Sequence, residues 1–334
     1  MDTKNRQIIL EKVPSGALRE TDFRMRSSSM PEPGDGEVLI KTLYMSLDAA
    51  NRAWMKGPSY RDAIVDGDVM PTFALGRVVE SKDASVPIGS VVEAEGLWSD
   101  YFLARAGNLR IVPDVPPLSH HMSILGIAGK TAYFGLLNVG RPKAGETIVV
   151  SAAAGSVGNL VGQIGKLKGC RVVGIAGGAE KCSWLVEELG FDAAIDYKSG
   201  NLFKDLKAAC AGGIDVYFDN VGGQTLETVL FQMNLYGRIV CCGAISQYDT
   251  KNPIGPQNLP GLVVVKRLRM EGFIAMDFPE HEARAETELR TWVKEEKLKV
   301  IEDIVDGLEN APRALIGLLS GENRGKRMVC VAME

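Results

Sequence analysis

Residues 147–158 read TIVVSAAAGSVG, and the first chemistry the chain offers lies there. Thr147 to Ser151 is β-branched at four of five positions, which predicts a buried strand. From Ala152 to Gly158 nothing bulkier than a methyl or a hydroxyl intervenes until Val157, so the backbone can approach a large group closely. A helix is predicted to follow, with Leu160, Val161, Ile164 and Leu167 on one face. Strand, glycine turn and helix N-terminus in that order make an anion site suited to the pyrophosphate of a dinucleotide. The glycines alone would not say so, because many tight turns share them.

The next βα unit bears on which dinucleotide. An acidic residue ~20 positions beyond the first glycine would bind a ribose 2′-hydroxyl. Here the strand Arg171 to Ala176 runs into Gly177-Gly178-Ala179-Glu180-Lys181 with no carboxylate at its end. Two glycines leave room and Lys181 brings charge, which is what a 2′-phosphate requires, so the segment points to NADPH over NADH. Glu180 and Lys181 are equally what the solvated first turn of a helix would show.

Metal and thiol chemistry have little to work with. The three histidines are His120, His121 and His281, and the adjacent pair cannot share a helical face. The cysteines at 170, 182, 210, 241, 242 and 330 form no C-x-x-C pair, and neighbouring Cys241 and Cys242 are poorly placed to bridge. The expectation is no metal site, with thiols filling apolar space in a reducing compartment.

The elements that must position these residues fall into two patterns. Residues 1–118 carry short β-type runs at 37–43, 74–80, 89–94 and 100–104, separated by turns such as 31–36. From 119 onward strands alternate with helices: Asp215 to Asp219 a strand, Gln224 to Asn234 a helix, Gly237 to Cys242 a strand, and Leu268 to Ile274 a strand closing the sheet. That alternation predicts an α/β fold with a doubly wound parallel Rossmann sheet, joined to a mostly β domain. A helix at 311–319 and a strand at 325–331 return to the β-rich part. The expected division is 1–118 with 300–334 as a catalytic and substrate domain, and 119–299 as the nucleotide-binding domain.

The 334 residues are 46% hydrophobic and 24% charged, with net charge −4, so nothing suggests nucleic acid or an anionic membrane as partner. The first seven residues are polar and no run reaches the ~18–20 apolar residues of a membrane span. The sequence reads as that of a cytoplasmic protein acting on a small molecule.

These residues together carry a family likeness. Leu43-Tyr44-Met45-Ser46-Leu47-Asp48, Gly129-Lys130-Thr131-Ala132-Tyr133, AAAGSVG at 152–158, Phe191-Asp192-Ala193-Ala194, Phe218-Asp219-Asn220-Val221-Gly222-Gly223, Cys242 to Tyr248 and Gly325-Lys326 occur in order. The chain resembles the zinc-independent medium-chain dehydrogenase/reductases, in the group of prostaglandin reductases and plant 2-alkenal (double-bond) reductases, over essentially its whole length. The resemblance implies a GroES-like catalytic domain beside the NADP-binding one. It also implies cofactor contacts at Thr131, Ala154, Gly155, Ser156, Val157, Gly158, Gly177, Lys181, Tyr197, Asn220, Cys242, Tyr248, Phe273, Ile274, Ala275 and Asn323. Asn323 would reach in from the returning tail, and Tyr197 would join Lys181 at the adenosine phosphate.

Tyr248 is the expected catalytic side chain and Tyr44 the second candidate. In the group the resemblance points to, this tyrosine sits beside the substrate carbonyl or the nicotinamide ribose. A phenol there can donate to a developing enolate oxygen, and with a pKa near ~10 it serves better as donor than as base. Tyr44 would line the substrate cleft or pack as a strand-end aromatic. The implied reaction is NADPH-dependent reduction of the C=C bond of an α,β-unsaturated aldehyde or ketone, with hydride passing to the β-carbon. A quinone reductase, or an NADPH-binding protein with vestigial activity, are the alternatives. Two departures fall at the expected substrate pocket. Ala49-Ala50-Asn51-Arg52-Ala53-Trp54-Met55 replaces the group's Pro-Tyr-Met-Arg continuation, so that an aromatic wall would be missing or replaced by Trp54, and Ile254 replaces a tyrosine. A homodimer is expected through a pairing edge at Arg269 to Ile274.

Overall fold

The computed structural model describes residues 4–57, 61–250 and 252–333. Of the polar N-terminal stretch, Met1–Thr3 lie outside them. The chain forms two units: Met1–Met122 with Glu302–Glu322 and Lys326–Glu334, and Ser123–Ile301 with Asn323–Gly325.

The second unit is built on six parallel strands in the spatial order Ala193–Asp196, Arg171–Ala176, Thr147–Ser151, Ile214–Asp219, Met233–Cys241, Arg269–Gly272. In chain order this is 3-2-1-4-5-6, the doubly wound arrangement whose ligand crevice opens where the order reverses, here between Thr147–Ser151 and Ile214–Asp219. Both faces are covered, as a parallel sheet requires. Ile148, Val150, Val172, Val216 and Val240 pack into one cluster and Val149, Val173, Tyr217 and Ile239 into another, following the two-residue period of a strand. The helix Ser156–Leu167 buries Leu160, Val161 and Ile164 in the first cluster, while Leu167 is half-buried.

The first unit holds a seven-stranded sheet: Glu302–Asp306, Lys326–Cys330, Glu37–Ser46, Pro71–Ser81, Val91–Leu97 and Leu109–Val112 in spatial order, with Tyr101–Arg105 pairing Glu37–Ser46. The strand Lys326–Cys330 lies antiparallel to Glu37–Ser46, so the tail does return to the β-rich part. Lys326, 1% exposed, donates to Asp48 Oδ1 at 2.6 Å, Ser46 Oγ at 2.6 Å and the Leu47 carbonyl at 3.0 Å, which fixes the bend after Glu37–Ser46.

Several elements differ from the sequence reading. The helix expected to run to Asn234 is Gly223–Leu230, because Met233 already pairs with Ile214 and the Asn234 amide reaches Asp215 Oδ1 at 2.8 Å. The closing strand is only Arg269–Gly272. An antiparallel pair, Lys4–Leu10 with Phe23–Ser29, forms from residues whose charged faces hid the alternation. Among the described residues no helix is long and apolar enough to cross a membrane.

Candidate active site

The glycine turn forms as its composition demands. Ala152 takes a left-handed conformation at φ 47°, Ala153 N–H donates to the Ile175 carbonyl at 3.0 Å, and Gly155 N–H to the Ala152 carbonyl at 2.9 Å. A Cβ at Gly158 would lie 2.4 Å from the Ala152 oxygen, so only glycine allows this closure. Gly155 caps the helix Ser156–Leu167, and no side chain takes up the first-turn N–H groups. A pyrophosphate fits such an uncapped N-terminus.

Three residues from the far end of the chain complete this corner. Gly325 N–H donates to the Ala154 carbonyl at 2.9 Å. With φ 69°, and a notional Cβ 2.2 Å from the Ile301 carbonyl, position 325 has to be glycine. Asn323 is buried, its amide donating to the Gly325 carbonyl at 2.8 Å. Lys181 Nζ donates to the Asn323 carbonyl at 2.6 Å. Arg324 pairs with Glu180 and lies over the Trp184 ring at 5.8 Å. The structure thus joins Lys181 and Asn323, which are 142 positions apart. Glu180 and Lys181, on the helix Ala179–Glu187, do more than form a solvated first turn.

Gly177 lies under two side chains. A Cβ there would be 3.0 Å from Tyr197 Cε1 and 3.0 Å from Lys198 Cε. Asp196 Oδ1 accepts from Gly178 N–H at 2.8 Å and Lys198 N–H at 2.9 Å, binding the ends of two neighbouring strands together. Sequence reasoning missed Lys198 and Asp196; their signal was adjacency to Tyr197 at the end of a short strand.

At the reversal point Ser151, Tyr217, Asp219 and Asn220 form a buried network. Tyr217 and Asp219, two apart on one strand, share a face, and the phenol donates to Asp219 Oδ1 at 2.8 Å. Asn220 donates through its main chain to Ser151 Oγ at 3.0 Å and through its amide to the Ser151 carbonyl at 2.7 Å. The Asp219 carbonyl accepts Cys242 N–H at 2.9 Å and Gly243 N–H at 3.1 Å. Burial, with the Asp219 carboxyl beside it, pushes the Cys242 thiol up to about 12, so it is a neutral thiol and no nucleophile at pH 7.

Tyr248 follows on a loop tied to the same strand end. Ile245 N–H donates to the Asn220 carbonyl at 3.2 Å and Ser246 Oγ to the Val221 carbonyl at 2.6 Å. Gln247 Nε2 donates to the Ile254 carbonyl at 2.8 Å, while the Ile254 side chain is 68% exposed. The Tyr248 oxygen accepts Ala244 N–H at 3.3 Å, which leaves the phenolic proton to donate elsewhere. Burial raises the phenol above its ordinary value, and the Ala244 hydrogen bond only partly opposes that.

The remaining candidates are placed as follows. Thr131 is half-buried on the helix Ile127–Phe134. Phe273 packs edge-on to Phe218, its ring filling the space a Cβ at Gly135 would occupy. Ile274 and Ala275 open a turn closed by Ile274 N–H on Asp277 Oδ2 at 2.8 Å. Tyr44 belongs to the first unit, half-buried in the strand Glu37–Ser46 opposite Leu75 and Cys330. Trp54 is not a pocket wall. At 2% exposure it is part of that unit's core, with the Arg61 guanidinium 4.5 Å from its ring centre. The short helix Ala50–Ala53 turns it inward.

A 3-2-1-4-5-6 sheet with this turn has the form of a dinucleotide-binding domain. Residues 6–112 match the N-terminal domain of oxidoreductase model, and 156–291 match the zinc-binding dehydrogenase model. The chain is 45% identical to the NADPH-dependent curcumin reductase of Escherichia coli, covering 98% of this chain and 97% of that one. It is 40% identical to the 2-alkenal reductase (NADP(+)-dependent) of Nicotiana tabacum, covering 100% and 99%. The crystal structure of CurA from Vibrio vulnificus in complex with NADPH superposes with a TM-score of 0.94 at 40% identity, covering 98% and 100%. The chain belongs to the zinc-independent medium-chain dehydrogenase/reductases, in the prostaglandin reductase and 2-alkenal reductase group, and is an NADP-dependent oxidoreductase. Among the described residues no group of three or more His, Cys, Asp or Glu side chains could hold a metal ion.

Proposed function

We propose that this chain reduces the C=C bond of α,β-unsaturated aldehydes and ketones. The observation that carries the reading is Tyr248: a neutral phenol, its oxygen engaged by Ala244 N–H and its proton available, on a loop hung from the strand end at the reversal point. NADPH bound in the crevice supplies the hydride. The glycine turn would hold the pyrophosphate through first-turn N–H groups, and Lys181, with Tyr197, would hold the 2′-phosphate. Tyr248 donates to the carbonyl oxygen, where negative charge grows as hydride reaches the β-carbon; such a donor acts mainly in the transition state. A conjugated alkene is already electrophilic, so a neutral donor suffices to polarise it. The names of the curcumin and 2-alkenal reductases support this chemistry for their own proteins.

NADPH oxidation across enals, enones, aromatic propenals and quinones, with the product identified by NMR, tests the reading. A saturated carbonyl product is expected. Turnover of quinones with none of any enal or enone would overturn it.

The protein is further proposed to be a homodimer. Arg269–Gly272 is the open edge of the six-stranded sheet, and the helix Leu259–Lys266 before it buries no residue, leaving Val264 72% and Val265 66% exposed. A second copy pairing at that edge would cover both.

A further inference from the structure

Asp219 carries a buried charge for which the described residues supply no countercharge. It is 3% exposed at the end of its strand, and Oδ1 accepts from Tyr217 OH at 2.8 Å, Gly222 N–H at 2.8 Å, Val221 N–H at 3.0 Å and Ser151 OH at 3.3 Å. All four donors are neutral. Four donors on one oxygen suit a carboxylate; a protonated acid would leave its own proton on Oδ2 without an acceptor. No cation among the described residues touches it; burial weighs most on its ionisation and raises it. Its near titratable neighbours, Tyr217, Cys241 and Cys242, are themselves pushed up and neutral. A buried carboxylate with hydrogen bonds and no partner ion is costly, which makes its place at the crevice informative.

The main-chain carbonyl of the same residue carries Cys242 and Gly243, the start of the segment assigned above to the nicotinamide. We infer that Asp219 biases the redox state of the bound cofactor, its charge favouring the positive nicotinamide of NADP+ over the neutral ring of NADPH. When hydride leaves for the β-carbon, the ring gives up two electrons with one proton and gains one positive charge. A fixed negative charge nearby then makes the ring a stronger hydride donor. The inference rests on placing the nicotinamide beside residues 242–248.

The test is binding. Dissociation constants of NADP+, NADPH and 2′,5′-ADP are measured by calorimetry and fluorescence on the wild type and on Asp219→Asn, which keeps an oxygen for the four donors. NADP+ should weaken about 3- to 10-fold in the variant, with NADPH and 2′,5′-ADP within twofold. Equal weakening of all three, or an unchanged NADP+ to NADPH ratio, would make Asp219 a structural group only and overturn the inference. Should Asp219→Asn not fold, Tyr217→Phe keeps the charge and removes one donor, and the ratio should move about twofold further toward NADP+; no movement would count against the idea. These readouts are independent of substrate turnover, so failure here and failure of the alkene reading are separate results.

Discussion

At the residue scale, Tyr248 and Lys181 have separable tasks. Replacing Tyr248 by Phe removes a donor and little volume. The expected result is a 10- to 100-fold fall in kcat with an enal substrate and NADPH affinity within about twofold, read by steady-state kinetics beside a binding titration. Burial holds the phenol's pKa above 10.0, so its proton stays in place through neutral pH. Wild-type kcat should therefore lose this donor only above pH 10, and Tyr248→Phe should lack that alkaline limb. Lys181→Ala should weaken NADPH about 10- to 100-fold and leave NADH nearly unchanged, in line with loss of one charge-assisted contact to phosphate. Equal loss for both cofactors would show that the phosphate site lies elsewhere.

At the element scale, the sheet that carries these residues is bolted by a few long-range bonds. Arg238, on Met233–Cys241, donates to Glu146 Oε1 at 2.9 Å and to the Gly140 carbonyl at 3.0 Å. Burial alone would raise Glu146; the Arg238 hydrogen bonds and Lys143 N–H outweigh it and hold the carboxyl below its usual range. A depressed folded pKa contributes stability that is present above the unfolded value and lost as pH falls through the folded one. Glu146→Gln should accordingly be less stable than wild type in urea at pH 7, with the difference shrinking below about pH 4.5. Gly325→Ala, facing both a left-handed φ and the Ile301 carbonyl, should cost about 1–3 kcal/mol and lower Tm by several degrees in calorimetry.

Much of this scale was legible beforehand. Thr147–Ser151 and Arg171–Ala176 stand where β-branching put them, because burial on both faces of a parallel sheet leaves those residues one solution, and the helix Ala311–Leu319 stands where its apolar period put it. Lys181 drew attention through an absence, the missing carboxylate at the end of Arg171–Ala176, and its bond to Asn323 is what the tertiary fold adds. Asp219 was not legible: a lone acidic residue at a strand end looks solvated until the tertiary fold buries it. Trp54 misled for the opposite reason, since an aromatic in a departing segment resembles a pocket wall until the helix Ala50–Ala53 turns it into the core.

At the scale of the whole molecule, the proposed dimer makes its own prediction. Val264→Asp would place a charge on the exposed face beside the sheet edge. Light scattering at micromolar concentration should give twice the chain mass for wild type and the single mass for the variant, with its circular dichroism unchanged; a monomeric wild type would refute the dimer. The strap Asn323–Gly325 bears on something else, the order in which the protein matures. The ribosome makes residues 302–322, which fold with the other unit, between Ile301 and the three residues that close the nucleotide corner. A nascent chain can therefore assemble its six-stranded sheet and still lack the Asn323 carbonyl that Lys181 holds. The last three residues of the nucleotide unit are thus made only after residues 302–322 of the other.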